Sequence, residues 1–221
     1  MSSTGESVPM ETTLYLIRHA QSHPCAHEHT SRWPLSSRGR EQAEALAPLL
    51  QTLGIGRLYS SPYKRCVDTV RPFAERSGLE LRLQSGLEEW TITPRWQSDL
   101  YDIWKSCWED FNFALPGCES SSTAQARFVR TVRTIAAECQ GMTIAISSHG
   151  GVIGLLLNHI DGSCLRECAE RIRNPEVLRL TASGEGLAWD RSFALAGLDE
   201  IATEHGETPV RSAAPIQDES G

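Results

Sequence analysis

The chain has 221 residues, of which 40% are hydrophobic and 22% charged, and its formal net charge is −7. This composition is ordinary for a globular protein and excludes collagen-like, membrane-embedded and fully disordered chains. Residues 197–221 carry six acidic side chains against one arginine, which accounts for −5 of the charge. The nearly neutral remainder has no basic stripe, so nucleic acid and anionic membranes are excluded as partners.

The length allows one sizeable domain and leaves too few residues for a second. We expect this domain to span residues 12–193, because residues 1–11 and 197–221 are polar and are predicted to be flexible tails. The seven cysteines are scattered, and no leader peptide precedes the first apolar run. No run approaches the ~20 apolar residues of a membrane-spanning helix. These features predict a soluble protein of the reducing cytoplasm.

Predicted strands and helices alternate along the chain. Apolar runs predict strands at residues 13–17, 57–60, 79–83 and 143–147, followed by two edge strands at 177–181 and 187–189. Capping residues and helical spacing predict helices from Ser36 or Ser37 to Gly54, from Ser61–Pro62 onward, at 96–111, at 120–138 and from Gly150 onward. This alternation indicates an α/β protein, a three-layer α/β/α sandwich whose central sheet is mainly parallel.

Two histidines more than a hundred residues apart each follow a predicted strand. Arg18–His19 ends the first strand, and His149–Gly150–Gly151 follows the strand at 143–147. Because ligands bind at the carboxyl ends of strands in open α/β sheets, we expect both histidines at one site. A neutral imidazole can attack phosphorus while an arginine grips two phosphoryl oxygens. Glycines at a helix start let the backbone approach an anion.

Two further segments supply charged groups. Arg65 stands near the start of a predicted helix, where backbone N–H groups favour an anion. Glu88 and Glu89 lie between Leu87 and Trp90, an apolar setting that suits a carboxyl group able to donate a proton. Each feature alone is most often an ordinary surface or core-edge side chain. Together they predict a phosphoryl-transfer site.

The order of these motifs resembles that of the histidine phosphatase superfamily, in the branch that also contains the cofactor-dependent phosphoglycerate mutases. The resemblance extends from Leu14 to about Trp189, and Ala20 stands where the Arg-His-Gly motif of the family has glycine. The similar segments are residues 16–20, 34–43, 59–69, 87–89, 116–120 and 148–151. Several motifs in the right order are a far more specific signal than any single one.

The resemblance implies a phosphoglycerate mutase-like fold and a transient phosphohistidine at His19. It implies Glu89, rather than Glu88, as the general acid and base, because Glu89 fills the last position of the Leu-x-Glu motif. The implied phosphate-binding residues are Arg18, Arg65, His149 and Gly150, and His149 is expected to be charged. No metal or cofactor is implied. Dimers are common among similar proteins, so a homodimer is one assembly that the resemblance allows.

Three functions fit the motifs: a phosphatase acting on phosphomonoesters, a phosphoglycerate mutase-type phosphotransferase, and a non-catalytic phospholigand-binding protein. The segment between Glu89 and Pro116 is shorter than the corresponding insertion of the mutases. Lys105 stands where their paired arginines are expected. These differences favour a phosphatase, and the presence of all five core residues argues against the binding protein. The sequence does not identify the small-molecule phosphomonoester.

The predicted walls of the substrate pocket are the loop at 21–33 and the segment at 90–115. Candidate pocket residues are Ser22, His29, Arg32 and Lys105. The histidines at 23, 27 and 29, with Cys25, are not spaced as a structural zinc site. Four tryptophans either line the pocket or anchor a cap on the core, namely Trp90, Trp96, Trp104 and Trp108. Cys164 and Cys168 are interpreted as small core or surface residues rather than a redox pair.

Overall fold

The computed structural model describes residues 11–25, 27–93 and 99–203. A six-stranded sheet runs through its centre, and adjacent strands follow the order β3-β2-β4-β1-β5-β6. The strands are β1 (Thr12–Arg18), β2 (Arg57–Ser60), β3 (Leu81–Leu83), β4 (Thr143–Ser148), β5 (Glu176–Ser183) and β6 (Gly186–Asp190). Strands β1 to β4 are mutually parallel. Strand β5 runs antiparallel to β1, and β6 runs antiparallel to β5. The predicted mainly parallel sheet is therefore confirmed.

Helices cover both faces of this sheet. They are α1 (Ser37–Gln51), α2 (Lys64–Ser77), α3 (Leu100–Glu109), α4 (Ser121–Glu138), α5 (Gly150–Ile160), α6 (Arg166–Glu170) and α7 (Leu198–Ile201), with a short 3₁₀ helix at Thr30–Arg32. Successive residues of β1 point to opposite faces. Leu14 and Leu16 join the core under α3, α4 and α5, whereas Tyr15 and Ile17 join the core under α1, α2 and α7. The three-layer α/β/α prediction is confirmed.

Serine side chains begin two of the helices, as predicted. The hydroxyl of Ser36 accepts from the N–H of Gly39 at 2.9 Å, and that of Ser120 accepts from the N–H of Thr123 at 3.2 Å. The predicted helix start at Ser61–Pro62 is wrong, because α2 begins at Lys64. The hydroxyl of Ser61 accepts from the N–H of Tyr63 at 3.3 Å, ahead of the helix, and also lies 2.9 Å from Nε2 of His149 at the sheet edge.

Two predictions near the end of the chain are corrected. Strand β5 lies between β1 and β6 and is not an edge strand, because the chain folds back as a hairpin onto β1. The first residues of the predicted tail belong to the fold, since Leu198 is buried in the core and α7 packs on α1. Residues 1–10 and 204–221 lie outside the described residues.

The α6 region corrects the interpretation of its two cysteines. Cys164 and Cys168 form a disulfide, with Cα atoms 5.2 Å apart. Residues four apart around a helix start come within the distance that a disulfide spans.

Among the described residues, no helix is long and apolar enough to cross a membrane. The cytoplasmic location stays a prediction.

Three of the four singled-out tryptophans belong to the core. Trp90, Trp104 and Trp108 are buried, and their rings meet edge to face at centroid distances of 6.5 Å and 6.0 Å. They anchor α3 against the core under α4 and α5. Trp96 lies outside the described residues.

Candidate active site

The pairing of β1 with β4 brings the two histidines together. Arg18 lies opposite Ser148 in the parallel register, so the next residues, His19 and His149, leave the sheet side by side at its carboxyl edge. The N–H of His19 donates to the carbonyl of Ser148 at 3.0 Å, and the two imidazole centroids are 5.4 Å apart. The convergence predicted from two apolar runs is thus present in the fold.

The ring of His19 is held in one tautomer. Its Nδ1 lies 2.7 Å from the carbonyl oxygen of Ala20, which can only accept, so Nδ1 carries the hydrogen. Nε2 then keeps its lone pair and accepts from Nε of Arg65 at 3.1 Å. Burial, followed by the charges of Arg65 and Arg18, lowers the pKa of His19 well below its usual value. The neutral ring with a free lone pair is the nucleophilic form of histidine.

A buried polar network fixes the backbone around His19. The side-chain N–H of Asn174 donates to the carbonyl of His19 at 2.7 Å, and the hydroxyl of Thr69 accepts from the N–H of Ala20 at 2.9 Å. The amide of Gln42 donates in turn to the carbonyl of Asn174 at 2.8 Å. Sequence reasoning assigned no function to these side chains. Gln42 and Thr69 lie in two of the family-like segments, which was the available signal.

Two buried arginines lie beside His19, and each is 4% exposed. Nη1 of Arg18 donates to the carbonyl of Ile172, and its Nε has no hydrogen-bond partner among the described residues. Nη1 of Arg65 donates to the carbonyl of Thr30 at 2.7 Å. Burial lowers the pKa of both groups, to about 10 for Arg18, so both stay cationic near neutral pH. Two fixed cations at one spot favour an anionic ligand.

His149 is the N-cap of α5 and is fully buried. Its Nε2 lies 2.9 Å from the hydroxyl of Ser61 and 3.3 Å from the sulfur of Cys66. Burial, then the charges of Arg65 and its neighbours, lowers the pKa of His149 well below its usual value. These surroundings favour the neutral ring, and a charged His149 stays a prediction. Burial also raises the pKa of Cys66 to about 12, so this thiol stays protonated.

The structure separates the two candidate carboxylates. Glu89 accepts from the N–H groups of Gly151 and Val152 at 3.2 Å and 3.1 Å, at the start of α5. Glu88 turns away, accepting from the N–H of Gly86 at 2.6 Å and lying 3.9 Å from Arg127. A carboxylate at a helix N-terminus interacts favourably with the helix dipole. Of the two, Glu89 is the one that shares the α5 N-terminus with His149.

Glycines are required where α5 meets these charged groups. A Cβ at Gly150 would lie 2.9 Å from Nε of Arg18, and one at Gly151 would lie 2.6 Å from Oε1 of Glu89. Real Cβ atoms do not approach other atoms so closely, so a larger residue would displace a site group. The Gly-Gly sequence after His149 therefore lets the arginine and the carboxylate lie against the helix start.

The four candidate pocket residues stay predictions. Their recorded contacts are local: Ser22 pairs with Leu35, His29 caps the 3₁₀ helix, Arg32 lies 4.0 Å from Glu28, and Lys105 lies 2.6 Å from Asp102. The loop that carries three of them does reach the site through the Thr30 carbonyl on Arg65. Within the described ranges, no three His, Cys, Asp or Glu side chains are grouped so as to hold a metal ion.

A family model for the histidine phosphatase superfamily, branch 1, matches residues 14–193. The chain therefore belongs to this superfamily. The match covers the sheet except Thr12 and Thr13, helices α1 to α6 and every candidate site residue.

Solved structures with the same fold include phosphatases and a mutase. The mycobacterial glucosyl-3-phosphoglycerate phosphatase is 23% identical over 84% of this chain and 99% of its own, with a TM-score of 0.69. A phosphoglycerate mutase from Bacillus anthracis str. Sterne is 18% identical over 87% and 97%, with a TM-score of 0.70. A protein described as mycobacterial hydrolase 1 is 25% identical over 84% and 100%, with a TM-score of 0.68. The fold is phosphoglycerate mutase-like, as expected.

Proposed function

We propose that this protein is a phosphatase that hydrolyses phosphomonoesters through a phosphohistidine at His19. The observation that supports this best is the state of His19. Its Nδ1 is anchored on a backbone carbonyl, and its Nε2 faces the buried guanidinium of Arg65. An uncharged imidazole directed towards fixed positive charge suits attack on an anionic phosphoryl group.

The proposed reaction has two steps. Nε2 of His19 attacks phosphorus, the ester P–O bond breaks, and Glu89 donates its proton to the departing oxygen. Glu89 then takes a proton from water, whose oxygen attacks phosphorus and breaks the P–N bond, releasing phosphate and free His19. Arg18, Arg65 and His149 bind the non-bridging oxygens in both steps. These two steps need no metal ion or cofactor.

A phosphatase is favoured over a mutase by the surroundings of Lys105. This residue stands where the mutases are expected to carry paired arginines, and its ammonium group lies 2.6 Å from the carboxylate of Asp102. A single lysine paired with a carboxylate of its own helix offers a weaker site for a second phosphate group than two arginines that bind oxygens bidentately. Phosphoryl transfer to water is therefore preferred over transfer between two hydroxyls of a phosphoglycerate.

The test uses the purified chain in a metal-chelating buffer with p-nitrophenyl phosphate. We expect hydrolysis by the unaltered protein and its loss in His19→Ala, because the nucleophile is removed. His159→Ala is the matched control, since this histidine lies at the far end of α5. Acid-labile, base-stable phosphate on the protein would mark the intermediate. Faster interconversion of phosphoglycerates than hydrolysis of any monoester would contradict the proposal, as would unchanged activity in His19→Ala.

A further inference from the structure

Helix α4 holds the loop that carries Glu89 through one side chain, Arg127. Nη1 of Arg127 donates to the carbonyl of Gly86 at 3.0 Å and to the carbonyl of Glu88 at 3.1 Å. The second of these carbonyls belongs to the residue directly before Glu89. Arg127 is only 25% exposed, so water competes weakly for these bonds. The backbone that enters Glu89 is therefore tied to a rigid helix.

A second residue, Glu119, holds the other end of the same loop, mainly through its backbone. Its carbonyl accepts from the indole N–H of Trp90 at 3.1 Å, and its N–H donates to the carbonyl of Thr91 at 2.9 Å. Its carboxylate also accepts from the N–H of Thr91 at 3.4 Å. The backbone that leaves Glu89 is thus tied to the segment that precedes α4.

Arg127 and Glu119 are joined to each other by a two-pronged ion pair. Nε and Nη2 of the guanidinium donate to the two carboxylate oxygens of Glu119, each at 2.8 Å. Such bidentate pairs fix orientation as well as distance. Gly86 adds a steric constraint, because a Cβ there would lie 2.2 Å from the hydroxyl of Thr131 on α4. Because Gly86 has no Cβ, the loop can approach α4 closely. The ion pair joins the two residues that hold the two ends of this loop.

We propose that Arg127 and Glu119 are positioning residues for the proton donor Glu89. Neither is assigned to contact the substrate. They hold the loop so that the carboxylate of Glu89 meets the N-terminus of α5 beside His149. The inference rests on the proposed function, because it needs Glu89 to protonate a leaving group. A displacement of about 1 Å from reactive geometry can cost on the order of 100-fold in rate.

The test compares a poor leaving group with a good one. A poor leaving alcohol needs the proton in the transition state, whereas p-nitrophenolate leaves without it. Glu89→Gln provides the reference: its kcat should fall far more for an alkyl phosphate than for p-nitrophenyl phosphate. For Arg127→Met we expect the same selective pattern, with about a 10- to 100-fold loss on the alkyl phosphate and less than about 3-fold on p-nitrophenyl phosphate. Inhibition by inorganic phosphate should be unchanged, since the phosphate-binding arginines are intact.

Matched variants separate positioning from general damage. Arg130→Met removes an exposed arginine from the same helix and should leave both rates unchanged. Glu119→Gln keeps hydrogen bonding without charge and should show a milder form of the Arg127→Met pattern. Combining the two should cost less than the product of the single effects, because both act through one pair. If Arg127→Met does not fold, Arg127→Lys replaces it in the same comparison. This variant keeps the positive charge but loses the two-pronged hydrogen bonding of the guanidinium.

The outcomes distinguish this inference from the proposed function. If the unaltered protein does not hydrolyse monoesters, or if His19→Ala stays active, the proposed function fails and the inference fails with it. If Glu89→Gln shows the selective loss but Arg127→Met lowers both rates equally, or neither, only the inference is overturned. A selective loss in both Glu89→Gln and Arg127→Met, absent in Arg130→Met, supports it.

Discussion

At the scale of single residues, the site depends on the absence of a proton at His19 and on the absence of side chains at Gly150 and Gly151. His19 is useful because it is uncharged, which burial and the charges of Arg65 and Arg18 favour, while the Ala20 carbonyl fixes its tautomer. The glycines at 150 and 151 are useful because they have no Cβ. A single added methyl group at either position would move a charged group that the proposed chemistry needs.

Gly151→Ala tests this steric requirement. The new Cβ would lie 2.6 Å from Oε1 of Glu89, so the carboxylate must move away from the α5 N-terminus. We expect a fall in kcat of about 10-fold or more on an alkyl phosphate. Stability should not fall, because alanine favours a helix over glycine by up to about 1 kcal/mol. Gly162→Ala, where nothing lies within 4 Å of the new Cβ, is the control. Equal rates in both variants would contradict the requirement.

At the scale of elements, local signals were sufficient for most of the fold. Apolar runs predicted β1 and β4, a serine cap predicted the start of α1, and the range predicted for α4 was correct to one residue, because these features depend on neighbours within a few positions. The Ser61–Pro62 prediction placed the start of α2 too early: the hydroxyl of Ser61 accepts from Tyr63 ahead of the helix and also contacts His149, 88 residues away. A cap rule cannot register a partner so far along the chain.

The supports of the site were less predictable than its chemical groups. Arg18, His19, Arg65 and His149 stand in recognisable segments, and the structure places them together. The bond from Asn174 to His19 joins residues 155 positions apart, and that from Arg18 to Ile172 spans 154. Nothing in the local sequence of β1 indicates those partners. The Cys164–Cys168 disulfide was missed for a different reason: its cysteines are only four positions apart, but the predicted reducing cytoplasm argued against pairing.

At the scale of the whole molecule, burial of the site makes stability depend on pH. The pKa values of His19 and His149 lie below the ordinary value of 6.5, with burial as the largest cause. The unfolded chain regains the ordinary value, so below about pH 6.5 it binds more protons than the folded chain. Stability should therefore fall as pH drops through 6.5, until the folded pKa values are reached.

Urea unfolding between about pH 8 and pH 5 measures this effect. Each buried histidine contributes a slope of up to about 1.4 kcal/mol per pH unit. His149→Gln should have a shallower dependence than the unaltered protein, because one of the two groups is removed. His29→Ala, which removes an exposed histidine, should keep the full slope. The same slope in both variants would contradict the burial argument.

An anion should stabilise the folded chain. Arg18 and Arg65 are buried close together, and each lies near the uncharged His19. Inorganic phosphate would neutralise them and give Nε of Arg18 an acceptor. At a concentration of about 100 times Kd, binding stabilises by about 2.7 kcal/mol. We expect thermal unfolding to shift upward with phosphate in the unaltered protein and much less in Arg65→Met. Arg71→Met, which removes an exposed arginine on α2, should keep the full shift, and an equal shift in Arg65→Met would instead indicate nonspecific binding.

The buried guanidinium of Arg18 also has a consequence for laboratory evolution. A charge kept inside a protein is often replaced by an apolar side chain with a gain in stability. Selection for heat resistance alone would therefore tend to remove this charge, and with it the anion-binding capacity of the sheet edge. Libraries built on this chain should be screened for turnover and for thermal survival at the same time.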